Sequence, residues 1–421
     1  TSEQLTIINL PLDKNWVVTG PPGTGKTILA LWRIKELDDR TEDISFIVFN
    51  AVLRDYAQSA LGEEANEELF LKNSDPQKIV KTYHKTIFDL WRIYVGGSSR
   101  PPKLGDSIHF DWPELLNHFV SQNIEIAENI IVDEGQDLPR DFYLFIRTLG
   151  SRVTIFLDPH QTIEDQTEHA TLNDIKHYIE APDSYQVTLN HRNSLPIAKL
   201  SHYFFTGTNE QLPKLPDSES REHQNPNYAS KKPELISVSN VEASIERIAS
   251  HARNYAEDSI VIIAQNTRAA EKYYDLLAWH TDAEIHRQYR RYEYDSGRGR
   301  KVQLPLETAN FGELENGGIM ITTTASMKGL EFDAVFVLET DDPGWKSKLE
   351  QTRGKELFYV MVTRARETLQ FHYCGKPEDP PVIFSDIPDD LLHKPNNGTG
   401  RTYTHGMPPT PPTYDPNDEP F

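Results

Sequence analysis

The run Gly20-Pro21-Pro22-Gly23-Thr24-Gly25-Lys26-Thr27 constrains the fold of this chain more than any other stretch. It follows the apolar segment Trp16-Val17-Val18, which reads as a buried strand. It leads into Ile28-Leu29-Ala30-Leu31-Trp32, which reads as a helix. A glycine-rich turn between strand and helix lets successive backbone N–H groups point at one centre, where the positive end of the helix dipole also falls. Such a centre suits a polyphosphate. The spacing fits G-x-x-x-x-G-K-[ST], which puts Lys26 on the β- and γ-phosphates and the Thr27 hydroxyl on Mg²⁺. The expected ligand is a nucleoside triphosphate, contacted by Gly20, Pro21, Pro22, Gly23, Thr24, Gly25, Lys26 and Thr27.

The 421 residues suggest two or three domains, and a composition of 37% hydrophobic and 25% charged residues is that of a soluble globular protein. No apolar run is long enough to cross a bilayer, and no charged-then-apolar leader opens the chain, so no membrane partner is expected. Cys374 is the single cysteine, which excludes an internal disulfide and a cysteine-based zinc site. A cytoplasmic location is the expectation. The formal charge of −21 means that any nucleic-acid groove must be local, because proteins that coat nucleic acid are normally basic. One segment offers such a groove. Arg287, Arg290, Arg291, Arg298, Arg300 and Lys301 are interleaved with Tyr289, Tyr292 and Tyr294, a mixture that suits a single strand. A solvated hairpin is the equally weighted alternative.

Strands and helices alternate along most of the chain. Ser45–Phe49, Asn129–Val132, Val153–Leu157 and Tyr185–Leu189 read as strands that are apolar on both faces, as parallel strands covered by helices must be. A helix is expected around Phe142–Ile146 after Pro139. After a polar, proline-containing stretch the alternation resumes with Glu234–Val238, Ser259–Ile263, Ile319–Thr323, Ala334–Leu338 and Thr368–Phe371. The expected fold class is α/β, with two tandem P-loop NTPase-type domains, each on a parallel sheet, and a nucleotide cleft between them. The expected division is a first domain over 1–206 with a small helical insertion at about 60–125, a linker over 207–232, a second domain over 233–392 and a Pro-rich tail over 393–421.

Asp133-Glu134-Gly135-Gln136-Asp137 follows the strand ending at Val132. A carboxylate at the carboxyl end of a parallel strand lies beside the P-loop. Asp133 is expected to hold Mg²⁺ together with Thr27, and Glu134 to orient and deprotonate the attacking water.

With these residues in view, the chain resembles superfamily 1 DNA helicases of the UvrD/Rep/PcrA type from Gln4 to about Cys374. Gln4 resembles the adenine-reading glutamine upstream of the P-loop. Thr82-Tyr83-His84 resembles the Thr-Phe-His DNA-contact motif, and Asp133–Asp137 the DExxQD box. Leu157-Asp158-Pro159-His160-Gln161 resembles the GDxxQ motif, whose glutamine senses the γ-phosphate. Leu189-Asn190-His191-Arg192-Asn193 resembles the N-Y-R-S motif, whose arginine contacts that phosphate. Met327–Asp333 resembles the KGLEFD motif, whose glutamate, here Glu331, binds the ribose. Leu357–Arg366 resembles the YVAxTRAR motif, whose first arginine, here Arg364, acts as a finger.

The resemblance implies two RecA-like domains, ATP and Mg²⁺ as ligands, His191 in the base-stacking position, and nucleic-acid contacts at Asn50, Thr82, His84, Thr323 and Ser326. It also implies 3′→5′ movement on single-stranded DNA. Arg366 reads instead as an exposed helix residue pairing with Glu356 or Glu367. The chain departs from the family pattern at His191, at Ala51, at Ala325 and in the missing tryptophan after Gln161, and its insertions are small, as in compact members of the group. The leading expectation is an ATP-dependent single-stranded DNA translocase or helicase acting in a repair or anti-phage complex. The alternative is an ATP-gated regulatory subunit that binds a protein partner such as a nuclease.

Overall fold

The computed structural model describes residues 2–49, 51–62, 68–96, 100–104, 109–126, 128–160, 170–181, 183–208, 212–216, 231–289, 292–295, 300–303, 317–324, 326–327, 329–350 and 354–394. Fourteen strands lie among them. The first six are β1 (Trp16–Thr19), β2 (Ile44–Val48), β3 (Val80–Thr82), β4 (Asn129–Val132), β5 (Arg152–Leu157) and β6 (Ser184–Gln186). They form one sheet in the order β3-β2-β4-β5-β1-β6, with every neighbour parallel. The next eight are β7 (Glu234–Val238), β8 (Ser259–Ala264), β9 (Ile285–Gln288), β10 (Tyr292–Asp295), β11 (Arg300–Gln303), β12 (Gly318–Thr323), β13 (Phe332–Val337) and β14 (Ala365–Cys374). Six of these make a second all-parallel sheet, β7-β14-β13-β8-β12-β9, while β10 and β11 pair as a separate antiparallel hairpin. The fold is therefore two α/β bodies on parallel sheets, as expected of tandem RecA-like domains.

Each sheet is covered on both faces, and the period-two alternation of side chains sorts its residues between two cores. In the first body Val17, Ile47, Val132 and Ile155 face the helices Tyr83–Tyr94, Trp112–Ser121 and Arg140–Thr148. Their strand neighbours Trp16, Val18, Phe46, Ile131 and Phe156 face the helices Lys26–Asp39 and Ala51–Gly62. The second body repeats the scheme. Ile260, Ile262, Ile321 and Phe336 pack on the helices Val241–Asn254 and Thr267–Leu277. Val261, Ile263, Val335 and Phe371 pack on the opposite side, against Gly354–Val362.

Three differences from the sequence reading follow from packing. The helix Leu195–Phe204 lies within the stretch assigned to the first domain, yet Ile197, Leu200 and Phe204 are buried in the second body's core, with Phe204 against Phe358 at 5.4 Å between ring centroids. The chain thus enters the second body before residue 206. The strand expected over Tyr185–Leu189 ends at Gln186: Val187 N–H still donates to Thr19 O, but Thr188 N–H turns to the Glu3 carboxylate and Leu189 bridges to Lys214. Two short polar edge strands, β3 and β9, lack the apolar run by which strands were read. Of the expected linker, Lys214 is tied to the first body through Thr188 O and Glu3. Of the expected tail, His393 bridges to the edge strand β7, and 395–421 lie outside the described residues. No helix among the described residues is long and apolar enough to cross a membrane.

Candidate nucleotide site and nucleic-acid contacts

β1 lies between β5 and β6, and β4 lies on the far side of β5. The carboxyl ends of three strands therefore open on one crevice, which is where ligands bind in parallel α/β sheets. Residues 20–27 leave the end of β1, Asp158 leaves β5, and Asp133 leaves β4. Gly23 and Gly25 have φ of +77° and +84°, conformations that favour glycine. A Cβ on Gly23 would lie 2.5 Å from Asn190 Oδ1 and 2.7 Å from Arg192 Cβ, so the loop is backed closely by the Asn190–Asn193 segment. Gln4 is beside the loop as well, its Nε2 donating to Thr24 O at 3.3 Å.

Lys26 folds back on this loop. Its Nζ donates to Gly20 O at 2.7 Å and Pro21 O at 3.0 Å. Burial lowers its pKa, although the carboxylates of Asp158, Glu134 and Asp133 pull the other way. Thr27 Oγ1 donates to Asp133 Oδ2 at 2.7 Å. The Asp133 carboxyl is fully buried and is pushed up to about 7, first by burial and then by the neighbouring Glu134 charge. Asp158 is also raised by burial, and its Oδ2 has no hydrogen-bond partner. Glu134 sits in the left-handed region at φ 54°, and Gln136 Nε2 donates to its Oε2. Gln136 Oε1 also accepts the Asp158 backbone N–H at 2.9 Å, so one amide orients two acidic positions. Three carboxylates thus surround one ammonium in a crevice with little solvent, an excess of buried negative charge that a divalent cation would offset.

The donor set fits Mg²⁺. Among the described residues no group of three or more His, Cys, Asp or Glu could hold a metal ion alone. Mg²⁺ beside a triphosphate does not need such a group, since it keeps several waters and takes one or two protein oxygens plus phosphate oxygens. Thr27 Oγ1 and Asp133 Oδ2, 2.7 Å apart, are the two protein oxygens that could do so.

Two arginines act on this crevice electrostatically, Arg192 on Lys26 and Arg364 through its attraction to Glu134. The Asn190–Asn193 turn carries the first. His191 N–H donates to Gly23 O at 2.7 Å on the P-loop side. Asn193 Nδ2 donates to Thr363 O at 3.2 Å and also to Ala365 O on the other side. Arg192 lies between them, ion-paired through Nε with Glu331 and donating from Nη1 to Thr363 O at 3.4 Å. Burial acts to raise the Glu331 carboxyl, but the guanidinium groups of Arg192 and Arg366 outweigh it and hold it at about 2. Glu331, expected from the resemblance at the ribose, is thus engaged by two arginines.

Arg364 is the second. It occupies the turn between the helix Gly354–Val362 and β14 and is buried. Its Nε donates to Val360 O at 3.0 Å and its Nη1 to Leu330 O at 2.9 Å. Burial lowers its pKa to about 10, the like charge of Arg192 adds to this, and the attraction of Glu134 opposes it. Its Nη2 also donates to Thr363 Oγ1 at 3.4 Å, so the hydrogen bonds of this guanidinium are to groups of the second body.

Arg366 departs from its sequence reading. It is neither on a helix nor paired with Glu356 or Glu367. It is the second residue of β14, half-buried, with Nη2 on Glu331 at 2.6 Å and Nη1 on Asp333 at 3.3 Å. Asn193, Gln136 and Asp158 were present in the quoted motifs but not selected as site residues, and their position inside those motifs was the available signal.

Of the expected nucleic-acid contacts, Asn50, Arg290 and Arg291 lie outside the described residues, as does Gln161, expected at the γ-phosphate. Thr82 ends β3, where its Oγ1 caps the following helix by accepting Lys85 N–H at 3.4 Å. His84 stacks beside Tyr83 and Phe110, with centroids 3.9 and 5.5 Å apart. Thr323 ends β12 and is buried, and its carbonyl accepts the Ser326 N–H at 2.9 Å. Arg287 lies over the Tyr274 ring at 4.2 Å. Tyr289 is buried in the second body's core, so this member of the basic-aromatic segment offers no face to a base.

Residues 13–204 match the family model for the Schlafen group 3 DNA/RNA helicase domain, and residues 300–376 match that for the UvrD-like helicase C-terminal domain. Two helicase-domain families thus match separate stretches of the chain. Helicase domains of this kind imply nucleotide and nucleic-acid binding. No curated protein matches the chain. Among solved structures, it is similar to the C-terminal domain of a possible DNA helicase from Lactobacillus plantarum WCFS1, with 15% sequence identity, coverage of 48% of this chain and 96% of that one, and a TM-score of 0.31.

Proposed function

We propose that this UvrD-like chain hydrolyses ATP to move 3′→5′ along single-stranded DNA, within a repair or anti-phage complex. The observation that carries the reading is the position of Arg192, whose backbone neighbours contact the P-loop while its side chain is paired with Glu331 of the second body. A triphosphate on the loop would compete with Glu331 for that guanidinium, so binding would be felt by both bodies.

In this mechanism the phosphates replace Gly20 O and Pro21 O as partners of Lys26. Thr27 and Asp133 hold Mg²⁺, which when bound neutralises charge on the phosphate oxygens. Glu134, kept in place by Gln136, orients the attacking water and accepts its proton. Arg192 and Arg364 stabilise the negative charge that spreads over the transferred phosphoryl oxygens. Gln4 and His191 contact the base. Release of phosphate restores the Arg192–Glu331 pair and lets the bodies part. The polarity rests on the likeness of the KGLEFD-type segment to that of 3′→5′ helicases.

Phosphate release measured with and without oligothymidylate tests the reading, with Lys26→Ala as the control. Stimulation by the oligonucleotide that disappears in the Lys26→Ala variant is expected. Equal rates with and without nucleic acid would refute translocation.

A further inference from the structure

A basic cluster on the first body lies outside the nucleotide crevice, beside Thr82. The helix Tyr83–Tyr94 presents Lys85, Asp89 and Arg92 on one face, and Lys81 approaches from β3. Asp89 sits at the centre. Its Oδ1 meets Lys85 Nζ at 2.5 Å and Arg92 Nη2 at 3.5 Å, and its Oδ2 meets Lys81 Nζ at 3.2 Å. The side chain of Asp89 is 10% exposed, whereas those of Lys85 and Arg92 are 56% and 73% exposed. The carboxylate is sunk and the cations stand out.

Three cations on one carboxylate leave a local surplus of two positive charges, in a chain whose formal charge is −21. Stability does not call for this, because exposed pairs each contribute about 0–1 kcal/mol and one partner would serve. A fourth cation lies beside the Phe88 ring of the same helix. Lys103 is exposed, 5.5 Å from the centroid of the half-buried Phe88 ring and 5.9 Å from that of Phe110. The cluster adjoins Thr82 at the carboxyl end of β3, on the edge of the sheet from which the P-loop also projects.

We propose that Lys81, Lys85 and Arg92, gathered on Asp89, form a face that holds the phosphate backbone of single-stranded nucleic acid on the first body. The inference rests on the nucleic-acid part of the proposed function and names where that contact is made. Asp89 remains ionised, its carboxyl lowered because hydrogen bonds from Lys85 and Lys81 outweigh burial. It preorganises the three cations, and the strand's phosphates then meet donors already in place.

The test is fluorescence anisotropy of a labelled oligothymidylate titrated with the full chain across a NaCl series, without nucleotide. Replacing both Lys85 and Arg92 by alanine removes two phosphate contacts, so the slope of log affinity against log salt should become less negative by about 1.4. Asp89→Asn should act in the opposite direction and tighten binding at low salt, a gain that a purely structural role for Asp89 does not produce. Thermal melting confirms that each variant is folded. An unchanged slope in the double variant overturns the proposal. So does a wild-type chain that hydrolyses ATP in a Lys26-dependent way yet does not bind the oligonucleotide. A chain with no Lys26-dependent hydrolysis, but with the predicted slope change, would refute the motor reading and leave the binding face standing.

Discussion

Replacing Asp133 by asparagine should make the protein more stable while abolishing its proposed activity. A carboxyl whose titration moves from its ordinary value of 3.8 to about 7 on folding costs the folded state about 4 kcal/mol in its ionised form. The sign follows from the direction. The unfolded chain gives up this proton first, so the penalty is absent below the unfolded value, grows as pH rises between the two values, and is complete above the folded one. Asparagine removes it. The amide oxygen can still accept the Glu134 N–H, which meets Asp133 Oδ1 at 3.0 Å, and the Thr27 hydroxyl can rotate to accept from the amide nitrogen. Lys26 keeps Asp158 and Glu134 as opposing charges. Deducting about 1 kcal/mol for a weakened hydrogen bond leaves a net gain of about 2–3 kcal/mol at pH 8. For a body of this size that is a rise in melting temperature of roughly 5–10 °C. The assay is thermal unfolding followed by circular dichroism at pH 8 and pH 5, in chelator and without nucleotide. The gap should shrink by more than half at pH 5. A variant that melts at or below the wild type at pH 8, or a gap independent of pH, would refute the claim that Asp133 is held as an uncompensated buried charge.

Gly23→Ala should abolish nucleotide binding and destabilise the fold by about 1–3 kcal/mol in urea titrations, because φ is +77° and the new Cβ would sit 2.5 Å from Asn190 Oδ1. A variant that binds a fluorescent nucleotide normally would show that the backing segment gives way easily. Glu331→Gln should release Arg192 from its ion pair, and a half-exposed pair worth about 1 kcal/mol translates into roughly fivefold tighter binding of tripolyphosphate. Tripolyphosphate lacks a ribose, so unchanged or weaker binding by calorimetry would count against the competition between Glu331 and phosphate. Arg364→Ala should slow single-turnover hydrolysis by about 10³-fold or more. It should also cost about 1–2 kcal/mol of stability, because the Leu330 carbonyl loses its side-chain donor while Val360 O keeps the Thr363 hydroxyl.

The sequence made the long central strands and the P-loop legible because they depend on local pattern. Asn129–Val132 and Ser259–Ala264 are apolar on both faces, and only a parallel strand under two layers of helix accounts for that. The strands β3 and β9 were not legible. Val80-Lys81-Thr82 and Ile285-His286-Arg287-Gln288 sit at sheet edges, where one neighbour supplies the pairing and polar side chains are tolerated. The helix Leu195–Phe204 was misassigned for a different reason. Its apolar stripe reads the same whichever body it covers, and the proline-rich polar stretch after it looks like a domain boundary. Only the contact of Ile197, Leu200 and Phe204 with the second core decides the matter. Arg366 shows the same limit at the site. Its partners lie some thirty residues away, Asp333 on the neighbouring strand and Glu331 just before it, while the sequence offered Glu356 and Glu367 nearby.

The join between the bodies at the nucleotide site is polar where their cores are not. Each core is built of apolar side chains, with the half-buried Tyr56 packed against one core of each body, and disrupting either costs several kcal/mol per large residue. At this join the contacts are hydrogen bonds of the Asn190–Ser194 turn to Gly23 O, Thr363 O, Ala365 O and Arg366 O, plus the Arg192–Glu331 pair. Bonds of that kind contribute about 1 kcal/mol each and have polar substitutes ready in a triphosphate and in water. A joint of such exchangeable bonds has alternative states that differ by only a few kcal/mol, with the Tyr56 packing and the Phe205–His160 ring contact, 4.9 Å between centroids, as the apolar contacts that rearrange with them. That is the range which binding a nucleotide can supply. The placement of arginines, asparagines and a glutamate at the join is what the proposed motor requires of its hinge.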